Sequence, residues 1–276
     1  MIEITLPQAF FLFFFGALVG LLGSVMGVGG GIFIVPLLVL VFKLPIQNAI
    51  AVSLISIIAV SSAVASVNVE KGLANVRLGT ILETAMALGS VAGALLMSRL
   101  PSKVVSLFFS IFLFPAAISM YLKASGKQKD KVSLERKTKM GGNFYDPASK
   151  SEISYEAQKL PQAMFFSFFA GGLSGLLGLG GGIVQVPVMN ILCKVPIKAA
   201  AATSNFMIGV SAAASALIFY NKGYVIENIT VYVCAGTLFG SAAGMKILHN
   251  VKSEKIQVLF SILVFIVGIK MLFNSL

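Results

Sequence analysis

The sequence predicts an all-α polytopic membrane protein of two inverted repeats, each a glycine-broken helical hairpin plus three further transmembrane helices. Three observations predict it. Apolar residues make up 57% of the chain and charged residues only 11%, against about 25% charged in soluble domains, so the medium is a bilayer. Apolar stretches fall into two sets of five. Finally, two glycine runs, Gly27-Val28-Gly29-Gly30-Gly31 and Gly178-Leu179-Gly180-Gly181-Gly182, share one continuation at a constant offset of 151 residues: Ile32/Ile183, Val35/Val186, Pro36/Pro187, Lys43/Lys194 and Pro45/Pro196. Duplicated hydrophobic units with breaks at matching positions point to a transporter built from repeats, with its site at the breaks.

The first set of apolar stretches covers 6–26, 31–42, 46–68, 78–98 and 103–122, and the second 161–177, 182–193, 197–219, 229–248 and 255–273. At about 1.5 Å per residue, 46–68 and 197–219 cross a hydrocarbon core of roughly 30 Å. The 31–42 and 182–193 pieces reach only about 18 Å and are half-helices or hairpin arms. The repeat runs on without a gap through Gly72/Gly223, Gly89/Gly240, Gly93/Gly244 and Ser102/Ser253. Upstream, Gly20-Leu21-Leu22-Gly23 matches Gly175-Leu176-Leu177-Gly178 only if the first half carries four extra residues, about one helical turn. The chain therefore divides into a first repeat (1–122), a basic linker (123–160) and a second repeat (161–276). Within the linker, Asn143-Phe144-Tyr145-Asp146-Pro147 reads as turn-like.

The net charge of +11 sits at helix ends and in the linker, as the positive-inside rule expects, and does not indicate nucleic acid. Nine Lys/Arg between 123 and 159 place the linker in the cytoplasm. If each half crosses an odd number of times, Lys71, Arg77, Lys194, Lys198, Lys246, Lys252 and Lys255 lie inside, and Lys43, Arg99, Lys103, Lys222 and Lys270 outside. An even number reverses the bias. The odd count inverts the second half and puts both termini outside a cell (plasma or inner) membrane. Nothing before the first apolar run resembles the basic start of a cleaved signal peptide.

Chemistry is expected at the glycine breaks. A helix starting at Ile32 or Ile183 offers uncapped N–H groups and partial positive charge to an anion, and glycine lets the ligand approach the backbone. Pro36 and Pro187 are expected to loosen the first turns. Candidate substrate-binding residues are Gly29, Gly30, Gly31 and Pro36, with Gly180, Gly181, Gly182 and Pro187. Ser53, Ser56, Ser61 and Ser62 are answered by Thr203, Ser204, Asn205 and Ser211. Of these, Ser53, Ser204 and Asn205 are candidates for binding anion oxygens, with Gln185 an asymmetric addition. Against these stand close helix packing, as at Gly16/Gly20 and Gly171/Gly175, and hydroxyl bonding between helices.

Glu83 is the one acid well inside an apolar run. It is a candidate for proton coupling, or a solvated or paired interfacial acid near Arg77. Cys193, Cys234 and His249 do not combine into a metal or disulfide site, and no cofactor is expected. The glycine runs lack the Lys-Ser/Thr of a P-loop, and no catalytic constellation appears, so the chain does not read as an enzyme.

Gly-x-Gly-Gly-Gly followed by Pro, twice, then a helix rich in serine and small residues, resembles the sulfite exporter TauE/SafE family over nearly the whole chain. The resemblance implies a membrane transporter that exports small sulfur-containing anions, sulfite or organosulfonates, and carries over Gly27, Gly29–Gly31, Pro36, Gly178, Gly180–Gly182 and Pro187, then Ser53 and Ser204. Leu54 stands where the second half has Asn205. The alternatives are import or proton-coupled transport through Glu83, and a non-transporting scaffold. The sequence does not set the oligomeric state.

Overall fold

A computed structural model of the chain describes residues 4–26, 29–124, 140–146, 151–247 and 253–275. The first half consists of α1 (Leu6–Met26), α2 (Gly31–Leu40), α3 (Ile46–Glu70), α4 (Val76–Met97) and α5 (Ser102–Ala124). A two-stranded antiparallel hairpin follows, β1 (Gly142–Asp146) and β2 (Ser151–Tyr155). The second half runs through α6 (Leu160–Leu177), α7 (Gly182–Pro187), a π-helical turn Val188–Leu192, α8 (Ile197–Asn221), α9 (Glu227–Ile247) and α10 (Ser253–Ser275).

Local chemistry sets these boundaries. Pro45 and Pro196, with extended ψ near 141°, lead into α3 and α8. Asn75 caps α4, its side chain accepting from the Leu78 N–H at 3.0 Å. Lys43 and Lys194 take left-handed φ of 56° and 58°. Beside them, the Leu44 N–H bonds the Leu38 carbonyl and the Val195 N–H the Met189 carbonyl, both at 3.1 Å, the closing bond of a Schellman-type end. The prolines act differently from the expectation. α2 stays α-helical through Pro36, whereas the second copy widens after Pro187, where the Cys193 N–H reaches back to the Val188 carbonyl at 3.4 Å.

Among the described residues, six helices are long and apolar enough to cross a membrane: Leu6–Ser24, Ile46–Glu70, Val76–Met97, Ser102–Tyr121, Leu160–Leu177 and Ile197–Asn221. Their outward faces expose Phe10, Phe14, Leu88, Phe165 and Leu217. Such a surface is unfavourable in water and favourable against lipid tails.

The centre is a crossing of α3 and α8. Asn48 Nδ2, near the start of α3, donates to the Tyr224 carbonyl just past the end of α8 at 2.8 Å. Ser61 Oγ, further along α3, donates to the Asn205 carbonyl in the first half of α8. The two helices therefore run antiparallel. Around them α1 packs on α9, α4 on α6 and α5 on α10, each pair joining opposite halves of the chain.

Glycine lets the α1–α9 and α4–α6 backbones touch. A Cβ on Gly20 would overlap the Thr237 carbonyl, and one on Gly171 the Met86 carbonyl. Gly240 meets the Ala17 carbonyl as Gly89 meets that of Phe168, and Gly244 meets Leu21 as Gly93 meets Gly172. Each contact maps onto its counterpart at the offset of 151. The repeat therefore extends through the first helix without the four extra residues expected from sequence. A four-residue step nearly preserves the helix face, so glycine spacing alone fits both registers; the backbone contacts separate them.

The linker contains the hairpin rather than a turn at Asn143–Asp146, with Phe144 opposite Ile153 in the register. Phe144 and Tyr155 are buried, their ring centroids 6.3 Å apart. Asn75 Nδ2 donates to the Met140 carbonyl at 3.3 Å, and the Gln158 N–H to the Cys193 carbonyl at 3.1 Å. These bonds seat the hairpin where the α3–α4 and π-turn–α8 connections meet. Pro147, His249 and most of the basic run lie outside the described residues.

Candidate functional site

The two glycine turns repeat their backbone conformation. φ is 78° and 84° at Gly29 and Gly30, and 76° and 71° at Gly180 and Gly181, values that favour glycine. Gly30 and Gly181 sit at the N-cap positions of α2 and α7, and neither helix has a side-chain cap. Their carbonyls accept from Phe33 and Ile34, and from Val184 and Gln185. The N–H groups just before these, on Gly31, Ile32, Gly182 and Ile183, lead each helix with its positive end. Gly27 and Val28 lie outside the described residues.

The turns meet in space. Gly31 approaches the Gly178 carbonyl so closely that a Cβ would overlap it. Ser53 Oγ donates to the same carbonyl at 2.7 Å, tying α3 to the start of the second glycine run. A Cβ on Gly29 would lie 3.0 Å from Ile208 Cδ1 and 3.2 Å from Ile57 Cγ2. Gly181 lies against Met86 on α4 and Ser174 on α6. Pro36 is buried within α2 and Pro187 half-buried at the end of α7; neither brings a polar side chain.

Most serines of the α3 and α8 clusters are used in packing. Ser56 Oγ bonds the Val52 carbonyl of its own helix at 2.8 Å, and Ser61 bonds across to α8. Thr203 Oγ1 accepts from the Asn75 N–H at 2.9 Å. Ser211 back-bonds within α8, and its carbonyl accepts from Ser90 Oγ, which also meets Ser215 Oγ. Ser62 is exposed. Asn190 Nδ2 donates to the Val195 carbonyl at 2.9 Å, closing the π turn.

A second group has no such partners. Gln185 is fully buried, and neither its amide oxygen nor its nitrogen is bonded. Ser204 Oγ and Asn205 Oδ1, on consecutive residues of α8, are likewise buried and unpartnered, as is Ser174 Oγ. Their helices, α6, α7 and α8, pack on one another. Orphaned buried polar atoms are rare and call for an explanation. Sequence reasoning did not single out Ser174, whose signal is its place in Gly171-Gly172-Leu173-Ser174-Gly175. Nor could the equivalence of Ser53 and Ser204 reveal that one is bonded and the other not.

Glu83 is buried, at 6% exposure, so it is not a solvated interfacial acid. It faces the Ser211 backbone of α8, yet neither carboxyl oxygen makes a hydrogen bond of good geometry. Arg77 is exposed. α6 carries no charged residue, and Lys198 of α8 is exposed at the helix start. Among the described residues no His, Cys, Asp and Glu side chains gather as a metal-holding group.

The family model for Sulfite exporter TauE/SafE matches residues 12–271. YunE of Bacillus subtilis, a probable membrane transporter protein, is 28% identical over 269 residues, covering 95% of this chain and 96% of its own. A probable membrane transporter protein of Methanocaldococcus jannaschii is 26% identical over 275 residues, covering 93% of this chain and 92% of its own. No solved structure matches.

Proposed function

The chain belongs to the sulfite exporter TauE/SafE family, and from that membership we propose that this multi-pass membrane transporter exports a small sulfur-containing anion, sulfite or an organosulfonate, by alternating access. The observation that carries the reading is the meeting of two uncapped glycine turns beside buried, unpartnered amide and hydroxyl groups. In this reading the N–H groups of Gly29–Gly31 and Gly180–Gly182 hold anion oxygens, with Gln185, Ser204 and Asn205 completing the site. Ser53 braces the turns, and Pro36 and Pro187 shape the helices behind them. No arginine or lysine is needed, because helix N-termini and neutral donors replace the anion's hydration shell.

The proposed cycle uses two inverted repeats, 1–122 and 161–276, joined by a cytoplasmic linker, 123–160, with both termini outside. The antiparallel course of α3 and α8 supports inversion, since these are equivalent helices of the two halves. The distribution of charge between the two ends supports the odd crossing count. Lys71, Arg77, Lys194 and Lys198 flank the hairpin side, while Lys43 and Lys222 flank the opposite end, where Asn48 meets Tyr224. With the cell interior negative, each net negative charge leaving gains about 2.3 kcal/mol per 100 mV. Export therefore needs no coupled ion. A second reading couples the flux to protons through Glu83; it is favoured by the burial of that carboxyl with no hydrogen-bond partner among the described residues.

The test is efflux of sulfite and small sulfonates from loaded proteoliposomes under an imposed potential. Saturable efflux that rises with inside-negative potential is expected. The proposal falls if no sulfur anion leaves faster than from empty liposomes.

A further inference from the structure

The unpartnered groups beside the second glycine turn are richer in acceptors than an anion site requires. Gln185 is fully buried with both ends of its amide free. Whichever way that amide is placed, it presents one acceptor oxygen and one donor nitrogen. Asn205 adds a second amide oxygen, buried at 2% exposure. Ser174 and Ser204 hydroxyls serve as donor or acceptor. A ligand made only of acceptor oxygens satisfies the backbone N–H groups, the hydroxyls and one amide nitrogen. It leaves the Gln185 amide oxygen, whichever way that amide is placed, and the Asn205 oxygen as placed here without a donor.

We propose that the cargo carries a hydrogen-bond donor of its own beside the sulfur oxyanion, an N–H or O–H group that Asn205 and Gln185 accept. This rests on the export reading above and narrows its substrate class. Sulfonates bearing an amino or hydroxyl group fit, and so does a protonated oxyanion; an alkyl sulfonate or sulfate does not. The donor side has a place on the structure. Gly181 abuts Ser174, and Gln185 lies about one helical turn further along α7; in this proposal the sulfur oxygens take the turn and the Ser174 hydroxyl, and the cargo's donor takes the Gln185 amide oxygen. The asymmetry of the halves follows as well. Ile34 and Leu54, the repeat equivalents of Gln185 and Asn205, are buried and apolar, so at these two positions the amide acceptors come from the second half alone.

The discriminating pair is sulfamate and methanesulfonate, two monoanions of like size that differ by an amino group in place of a methyl. Both would be tested as competitors of labelled sulfite efflux in proteoliposomes of the full chain. Sulfamate is expected to compete at about 10-fold lower concentration or better, since sites built around a polar group reject analogues lacking it by large factors. In Asn205→Leu and in Gln185→Met the ratio is expected to fall toward one. The Asn205 backbone carbonyl still receives Ser61, and Gln185→Met gives the same comparison if the first variant does not fold. Equal competition in the unaltered protein, or a ratio that survives both substitutions, overturns the proposal and leaves export standing. Absence of any sulfite efflux overturns both.

Discussion

Ser53 and Ser204 occupy equivalent places in the two halves and are both fully buried, yet only Ser53 has a partner, so their alanine variants are expected to part. In Ser53→Ala, a 2.7 Å bond to the Gly178 carbonyl is lost. A net hydrogen bond is worth about 1 kcal/mol, and an acceptor left unpaired adds about 1–3 kcal/mol. Interhelical bonds within membranes average about 0.6 kcal/mol with a maximum near 1.7. These bounds place the loss at about 1–2 kcal/mol. For a chain of this size that lowers the melting temperature by roughly 2–8 °C, taking about 2–4 °C per kcal/mol. Ser204→Ala removes a hydroxyl that bonds nothing; its stability is expected to stay within about 0.5 kcal/mol, or to rise. Its transport affinity is expected to fall. Thermal melting in detergent, followed by efflux from proteoliposomes, measures both. Equal melting shifts for the two variants, or a larger loss in Ser204→Ala, would refute the division of buried serines into bracing and binding groups.

Gly31→Ala places a methyl on the Gly178 carbonyl and is expected to abolish transport. Gly72→Ala, at φ of 65° with nothing within 4 Å, is expected to cost only about 1 kcal/mol of backbone strain; melting and efflux of the pair distinguish packing from strain. Glu83→Gln keeps the shape and removes ionisation. On the proton-coupled reading it flattens the pH profile of efflux, and an unchanged profile eliminates Glu83 as a proton carrier. Burial pushes the Tyr155 phenol above its ordinary value of 10.0, opposed by a hydrogen bond from Asn75. The docked hairpin favours the neutral phenol, so this contribution is full below pH 10.0 and is lost as pH rises through the elevated value. Proteolysis at residues 140–158 is expected to increase at alkaline pH in the unaltered protein and less so in Tyr155→Phe.

Helix order was legible because glycine and proline punctuate it. Pro45, Pro196, Gly72 and Gly223 mark ends that composition alone would blur, and the glycine runs announced the uncapped starts. The hairpin was hidden because its strands, five residues each, carry no sustained polar–apolar alternation, and Tyr155 finds its partner in Asn75, distant in sequence. The register of α1 was hidden because one helical turn restores the same face. Glu83 looked interfacial because Arg77 is near in sequence, but its own side of α4 turns toward α8. At the site, residue type located the candidate hydroxyls and amides. Which of them remain unpartnered depends on contacts across the bundle, such as Ser61 with Asn205 and Asn75 with Thr203, that no local pattern encodes.

The exchange of partners between halves constrains how the chain is made. α1 meets its glycine-lined mate only when α9 has left the ribosome, more than two hundred residues later. At about 5–20 residues per second, that is a wait of roughly 10–40 seconds with Gly16 and Gly20 facing lipid or a stand-in. α6 has no such delay, since α4 is already inserted when it emerges. Among the paired helices the small-residue stripe of the first waits longest, and it is the surface that insertion machinery or a chaperone has to shield for the greatest part of synthesis.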